Sequence, residues 1–253
     1  WLGLSALAFS MIGWLVFQFY PASRDYIFAY VLAAVLFVPF LNALVMGQKS
    51  VFLLLILLGT FLLLRYQRPF GAGIVFGLIV FKPHLGLVIG LTMLAKRQWA
   101  FAAGAVLVVF SLVAYSWFYQ GELFGNYLNV VLGMNDYLQT QGYQLEDAHS
   151  LWGAVTLACH SQSPWLSKAS TALLSLVVGF LLWRAVGESV TLKSEAFARQ
   201  FSAMIVATVL LSPHFYGYDL TILLLPFLLI LSTTNLDRWR NVRSERGIVI
   251  LVL

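Results

Sequence analysis

The fold class this sequence predicts is an all-α integral membrane protein that crosses the bilayer many times. Three observations carry that prediction. Of 253 residues, 61% are hydrophobic and only 10% charged, where a soluble domain carries roughly 25% charged residues. Mean hydropathy is +0.88. Apolar runs recur along nearly the whole chain, at 1–20, 27–46, 50–64, 70–81, 84–95, 98–118, 165–184, 198–212 and 218–234, with a further run from Ile248. Segments in hydrocarbon must satisfy their own backbone hydrogen bonds, so the runs are expected to be helices.

The sequence reads as one membrane domain over 1–253, and both ends (Trp1 and the closing "GIVILVL") read as cut from a longer chain. The net charge of +5 does not point to nucleic acid, because basic residues of membrane proteins concentrate in cytoplasmic loops. The lone Cys159 cannot form an internal disulfide. The first residues lack the basic start of a cleavable signal peptide.

The runs over 1–20 and 27–46 are long enough to span, whereas 50–64 is short. The segment 70–95 raises the main topological question, because "VFKPHLG" (80–86) interrupts it with Lys82, Pro83 and His84. A single straight helix would be about 39 Å long and would put Lys82 near mid-bilayer. A central lysine costs about 2.5–3.5 kcal/mol on insertion scales. Pro83 has no N–H and disfavours helix at Lys82, so a turn there is the expected solution.

Charge placement agrees. With a hairpin at Lys82, the basic turns Arg65/Arg68 and Lys96/Arg97 fall on the inner side with Arg24, Arg184, Lys193, Arg199, Arg238, Arg240, Arg243 and Arg246. Only Lys49, Lys82 and Lys168 fall outside, as the positive-inside bias favours. Each arm then spans about 18 Å against about 30 Å of hydrocarbon, so the arms are expected to line an outward recess. Gly47-Gln48-Lys49 should lie near its floor.

The stretch 119–164 is the one long polar segment. Its first part suits an amphipathic helix in the outer interface. Its second part, "YQLEDAHSLWG", gathers Glu146, Asp147 and His149. It reads as a solvated loop or as an acceptor-binding lid. In "LLSPHFYGYDLTILLLP" (210–226) a helix breaks at Ser212-Pro213 and another leaves near Tyr218-Asp219. Asp219 there is either a helix cap or a member of a polar site with His214 and Tyr218. His214 is otherwise an interfacial aromatic. Lys82 either snorkels to the interface or, with His84 and Gln48, holds an anion such as a lipid phosphate.

Taken in order, a "GQ" turn, a leucine-rich helix, "RYQRP", "GAGIVFGL", "KP", a short helix and "KRQW" are similar to the multi-pass glycosyltransferases of family 87, in the GT-C superfamily. The later "SPHFYGYD" resembles that family's "SP-x-x-x-x-YD" turn. The likeness is clearest over 47–99 and 212–226. It implies a GT-C-like helical domain in the plasma membrane with its active site facing outward, towards the periplasm. The donor would be a polyprenyl-phosphate sugar, mannose among the candidates, and the acceptor a lipid or cell-envelope glycan. No cofactor or metal is implied. Surrounding membrane lipids are expected partners and nucleic acid is not. The resemblance also implies that Lys82 meets the lipid phosphate, which agrees with the anion site read from Lys82, His84 and Gln48. His214 would orient the acceptor or leaving group, with Asp219 and Tyr218 behind it, and Tyr218, His149 and Asp147 would face the acceptor. GT-C enzymes carry a carboxylate base in the first outer loop. No acidic residue precedes Asp25, which falls on the inner side, so the base is expected in sequence upstream of Trp1. The competing reading is a polytopic transporter or lipid flippase, because paired broken helices also mark such proteins.

Overall fold

The computed structural model describes residues 1–19, 27–133, 147–159, 164–187, 190, 192, 196–212 and 215–233. Among them there are only helices and turns. In chain order these are α1 (Leu2–Phe19), α2 (Ile27–Leu36), α3 (Val38–Val45), α4 (Ser50–Arg65), α5 (Pro69–Gly77) with a 3₁₀ turn (Leu78–Phe81), α6 (Pro83–Ala95), α7 (Trp99–Leu132), α8 (Leu151–Cys159), α9 (Pro164–Val186), α10 (Ala196–Leu211), a 3₁₀ segment (Gly217–Leu223) and α11 (Leu224–Thr233).

The apolar run 27–46 does not form one helix. Phe37 adopts an extended backbone (φ −81°, ψ 98°) and Pro39 opens the next helix, which fits proline's preference for the first helical turn. The run at 98–118 continues instead of ending. α7 reaches Leu132 through a kink at Gln120 (φ −144°, ψ 48°), so the first part of the polar stretch is helical, and 134–146 lies outside the described residues.

α4 is the centre of the core. Leu53, Leu54, Leu57, Leu58, Phe61 and Leu64 on it are buried. Phe61 stacks on Phe197 of α10, with ring centroids 5.1 Å apart and planes 5° apart, and tilts against Phe201 at 5.4 Å. Among the described residues, α7 and α9 are long and apolar enough to cross a membrane, and the bent pair α3–α4 is a third candidate span. Most of the large apolar side chains of α7 and α9, such as Phe110, Trp117, Leu176 and Phe180, are exposed. So much uncovered apolar surface is what hydrocarbon, rather than water, would face.

The segment 70–95 turns back on itself. Lys82 leaves helical geometry (φ −141°, ψ 68°) and Pro83 opens α6. A methyl built on Gly90 would touch the Phe76 ring at 3.6 Å, whereas a straight helix would separate these residues by about 21 Å. α3 and α4 likewise meet at 118° across Gly47-Gln48-Lys49. α5 is held against α7 by bare backbone. A methyl on Gly73 would overlap the Phe101 carbonyl oxygen, and one on Gly104 would overlap that of Phe70. Small residues allow this approach between membrane helices.

Three turns share one geometry. At Met46-Gly47-Gln48, Tyr66-Gln67-Arg68 and Lys96-Arg97-Gln98, the third residue's N–H donates five residues back and the second residue's three back. The middle residue sits at φ 63°, 60° and 58° respectively. This is the Schellman helix stop. The turns sort to opposite ends of the bundle. Gly47 lies beside the Trp1 indole and near the Lys82 break. At the other end, the Lys96 ammonium donates to the Gly187 carbonyl and Gln200 donates to the Val186 carbonyl. Arg65, Arg68, Arg97, Arg184 and Arg199 lie in or beside the elements at that end.

Candidate active site

Three separately encoded elements meet at the opposite end from those arginines. The α3–α4 turn ends at Ser50, the first residue of α4. The break between the two short helices exposes Lys82. The chain after α10 returns through Phe215 and Tyr216 into the 3₁₀ segment that carries Asp219 in its first turn.

The three converge on one carboxylate oxygen. Lys82 Nζ lies 2.6 Å from Asp219 Oδ1, and Ser50 Oγ donates to the same oxygen at 2.7 Å. Asp219 is 1% exposed and Lys82 16%. A buried carboxylate is stable only with such partners. The Asp219 backbone N–H is engaged by the Tyr216 carbonyl at 2.9 Å, and Tyr216, not Asp219, holds the N-cap position of the 3₁₀ segment, with Asp219 in its first turn.

Tyr218 contacts both the ammonium and a second tyrosine. Lys82 Nζ is 4.8 Å from its ring centroid, within cation–π range, and Tyr216 stacks on it at 5.3 Å and 10°. The end of the long polar stretch is pinned to this cluster. The His149 backbone N–H donates to the Phe215 carbonyl at 2.8 Å. His149 Nδ1 bonds the Asp147 carbonyl at 2.8 Å. A carbonyl only accepts, so Nδ1 carries the proton. The His149 ring covers Gly217, where an added methyl would meet it at 3.4 Å. Burial, then the Asp147 and Asp219 carboxylates, push the Tyr216 phenol above its ordinary range.

Of the residues singled out from sequence, Lys82, Asp219 and Tyr218 are in direct mutual contact, and His149 and Asp147 flank them through Phe215, Gly217 and Tyr216. Gln48 and His84 each stand two residues along the chain from a contact residue, Gln48 before Ser50 and His84 after Lys82. His214 and Glu146 lie outside the described residues. Ser50 was not anticipated. A serine at a helix start is commonplace, and only the fold shows that its hydroxyl points at Asp219. Lys49 rests over the Phe81 ring at 5.8 Å. An apolar cavity of about 210 Å³ between α9 and α10, lined by residues such as Leu181, Ala185, Ala203 and Leu210, contains no member of the cluster.

The sequence profile of glycosyltransferase family 87 matches residues 1–213. The chain belongs to glycosyltransferase family 87. As a member of that family the protein is a membrane glycosyltransferase, which takes a sugar donor and an acceptor. The match covers the Gln48, Ser50 and Lys82 elements and ends before Asp219. No curated protein and no solved structure matches the chain. Among the described residues, no group of His, Cys, Asp and Glu is arranged to hold a metal ion.

Proposed function

We propose that this family 87 enzyme takes its sugar from a polyprenyl-phosphate donor and passes it to a hydroxyl of a lipid or cell-envelope glycan at the outer face of the plasma membrane. The observation that carries the reading is Lys82. It is a lysine at a helix break, held by a buried carboxylate and an aromatic face, and it keeps part of its surface open. An ammonium so fixed suits a leaving phosphate, which gains charge as the bond to the sugar breaks. Low dielectric beside lipid strengthens that contact.

Lys82 meets the donor phosphate, with His84 and Gln48 on the adjoining turns. Asp219, buried with Oδ1 shared between Lys82 and Ser50, acts behind Lys82. Tyr218, His149 and Asp147 form the wall offered to the acceptor, and His214 orients the acceptor or leaving group. The acceptor proton requires a base within hydrogen-bond reach, a carboxylate that the family resemblance puts in the first outer loop. Mannose is among the sugars the resemblance allows, and a single displacement would invert the anomeric centre.

The test supplies labelled polyprenyl-phosphate sugars to membranes holding the full-length protein, wild type or Lys82→Ala, at matched levels. Transfer by wild type, falling about a hundredfold or more in Lys82→Ala, supports the reading. Transfer from a nucleotide sugar alone would overturn the donor. Undiminished transfer by Lys82→Ala would return Lys82 to a snorkelling lysine.

A further inference from the structure

We infer that Ser50 is a positioning residue for sugar transfer, acting through Asp219 to fix the Lys82 ammonium. The inference rests on the reading of Lys82 as the phosphate-binding cation. It begins from where the Ser50 hydroxyl goes. Ser50 is the first residue of α4, where serines commonly serve the helix itself. The N-cap position of α4 is Lys49, whose side chain makes no cap bond. The Ser50 hydroxyl instead reaches Asp219 Oδ1 at 2.7 Å, across 169 residues of chain. An ionised carboxylate only accepts, so Ser50 donates.

The physical need for such a donor is specific. A lysine ammonium sits on a flexible four-carbon stem, so its partners determine where it stands. Lys82 contacts two, Asp219 Oδ1 and the Tyr218 ring. A carboxylate can rotate about its last bond and offer either oxygen. Ser50 singles out Oδ1, the oxygen that Lys82 uses. Ser50 is itself fully buried, and Val51, Leu53 and Leu54 after it are buried too. The reference point for Lys82 is therefore the rigid centre of the bundle rather than a surface loop. An interaction held in advance helps most where charge develops, so its loss should appear in kcat more than in donor KM.

The experiment measures kcat and donor KM for purified full-length enzyme in lipid nanodiscs, with a labelled polyprenyl-phosphate sugar. The variants are Ser50→Ala, Ser50→Thr, Asp219→Asn and Ser50→Ala combined with Asp219→Asn. Ser50→Ala is expected to lower kcat about tenfold, the scale of one lost hydrogen bond to a charged group, with KM within about twofold. Ser50→Thr should restore most of the rate, because it keeps the hydroxyl. In the Asp219→Asn background, Ser50→Ala should cost nothing further. Wild-type kcat in Ser50→Ala, or the same tenfold loss in the Asn background, overturns the inference. If Ser50→Ala does not fold, Ser50→Cys takes its place. Its weak S–H donor should give a reduced kcat, and an unchanged kcat overturns the inference. Lys82→Ala, run alongside, separates the two claims. Full activity in that variant overturns the donor reading, whereas its inactivity beside a fully active Ser50→Ala overturns only the role of Ser50.

Discussion

Lys82 Nζ and Asp219 Oδ1 stand 2.6 Å apart although 137 residues separate them in the chain. The contact ties the break between the short helices to the turn after α10, and Ser50 adds the start of α4. Desolvating two charges is costly, and removing one partner leaves the other uncompensated. Asp219→Ala should therefore destabilise the protein by about 3 kcal/mol, read as a lower thermal midpoint in detergent. The double change Lys82→Met with Asp219→Leu should recover most of that stability while transfer stays absent. Recovery of transfer as well would mean that the pair serves only the fold.

The α5–α7 contact is set by backbone rather than side chains. Because a methyl on Gly73 would overlap the Phe101 carbonyl oxygen, Gly73→Ala must push the helices apart. The hairpin arm carrying Lys82 would move with α5. Gly71 has open space at the same position, so Gly71→Ala should be tolerated. We expect Gly73→Ala to lower the yield of folded protein severalfold in fluorescence-detected size exclusion, and Gly71→Ala to leave it unchanged. Equal behaviour of the two would refute the close-packing account.

The two ends of the bundle can be told apart chemically. With Cys159 replaced by serine, single cysteines at Gln48 and Gln67 report the Lys82 end and the arginine end respectively. A membrane-impermeant maleimide added to intact cells should label Gln48→Cys and spare Gln67→Cys until the cells are opened. The reverse pattern would put the Lys82–Asp219 cluster on the cytoplasmic side and remove the outer-face acceptor from the proposal.

Much of this arrangement is legible in the sequence because its causes are local. Pro83 cannot donate a hydrogen bond and Lys82 resists mid-bilayer burial, so the break at "KPH" follows from two adjacent residues. The "GQ" and "KRQ" turns are legible for a similar reason, since basic residues mark one side. The split of 27–46 at Phe37 and Pro39 was masked by the surrounding apolar run. The partners of Asp219 could not be read at all. Whether a carboxylate in "GYD" caps its own helix or receives a lysine from far upstream depends on packing, not on its neighbours. Ser50 is hidden for the same reason, and only the fold distinguishes it from an ordinary first helical residue.

At the opposite end, the Lys96 ammonium lies 3.2 Å from the centroid of the Trp183 ring while donating to the Gly187 carbonyl. It thus caps the C-terminus of α9, where the helix dipole favours a cation. Lys96→Met keeps much of the stem and removes the charge. It should cost about 1–2 kcal/mol, seen as a lower thermal midpoint with donor KM unchanged, because the site is at the other end. A shift in KM would show that the two ends are coupled.

Tyr216 makes the cluster sensitive to alkali. Burial and two nearby carboxylates raise its phenol above the ordinary tyrosine value of about 10, so the folded protein holds that proton more tightly than the unfolded chain does. The sign follows from linkage. Below pH 10 both states are protonated and the contribution is fully present. As pH rises from there through the higher folded value, the unfolded chain ionises first and stability is lost. Tyr216→Phe cannot ionise, so its thermal midpoint should fall less steeply above about pH 10 than that of wild type. The difference should vanish near neutral pH apart from a constant offset. Parallel alkaline slopes for the two proteins would mean that Tyr216 ionises in the folded state as readily as in the unfolded one, and would remove Asp147 and Asp219 as its effective neighbours.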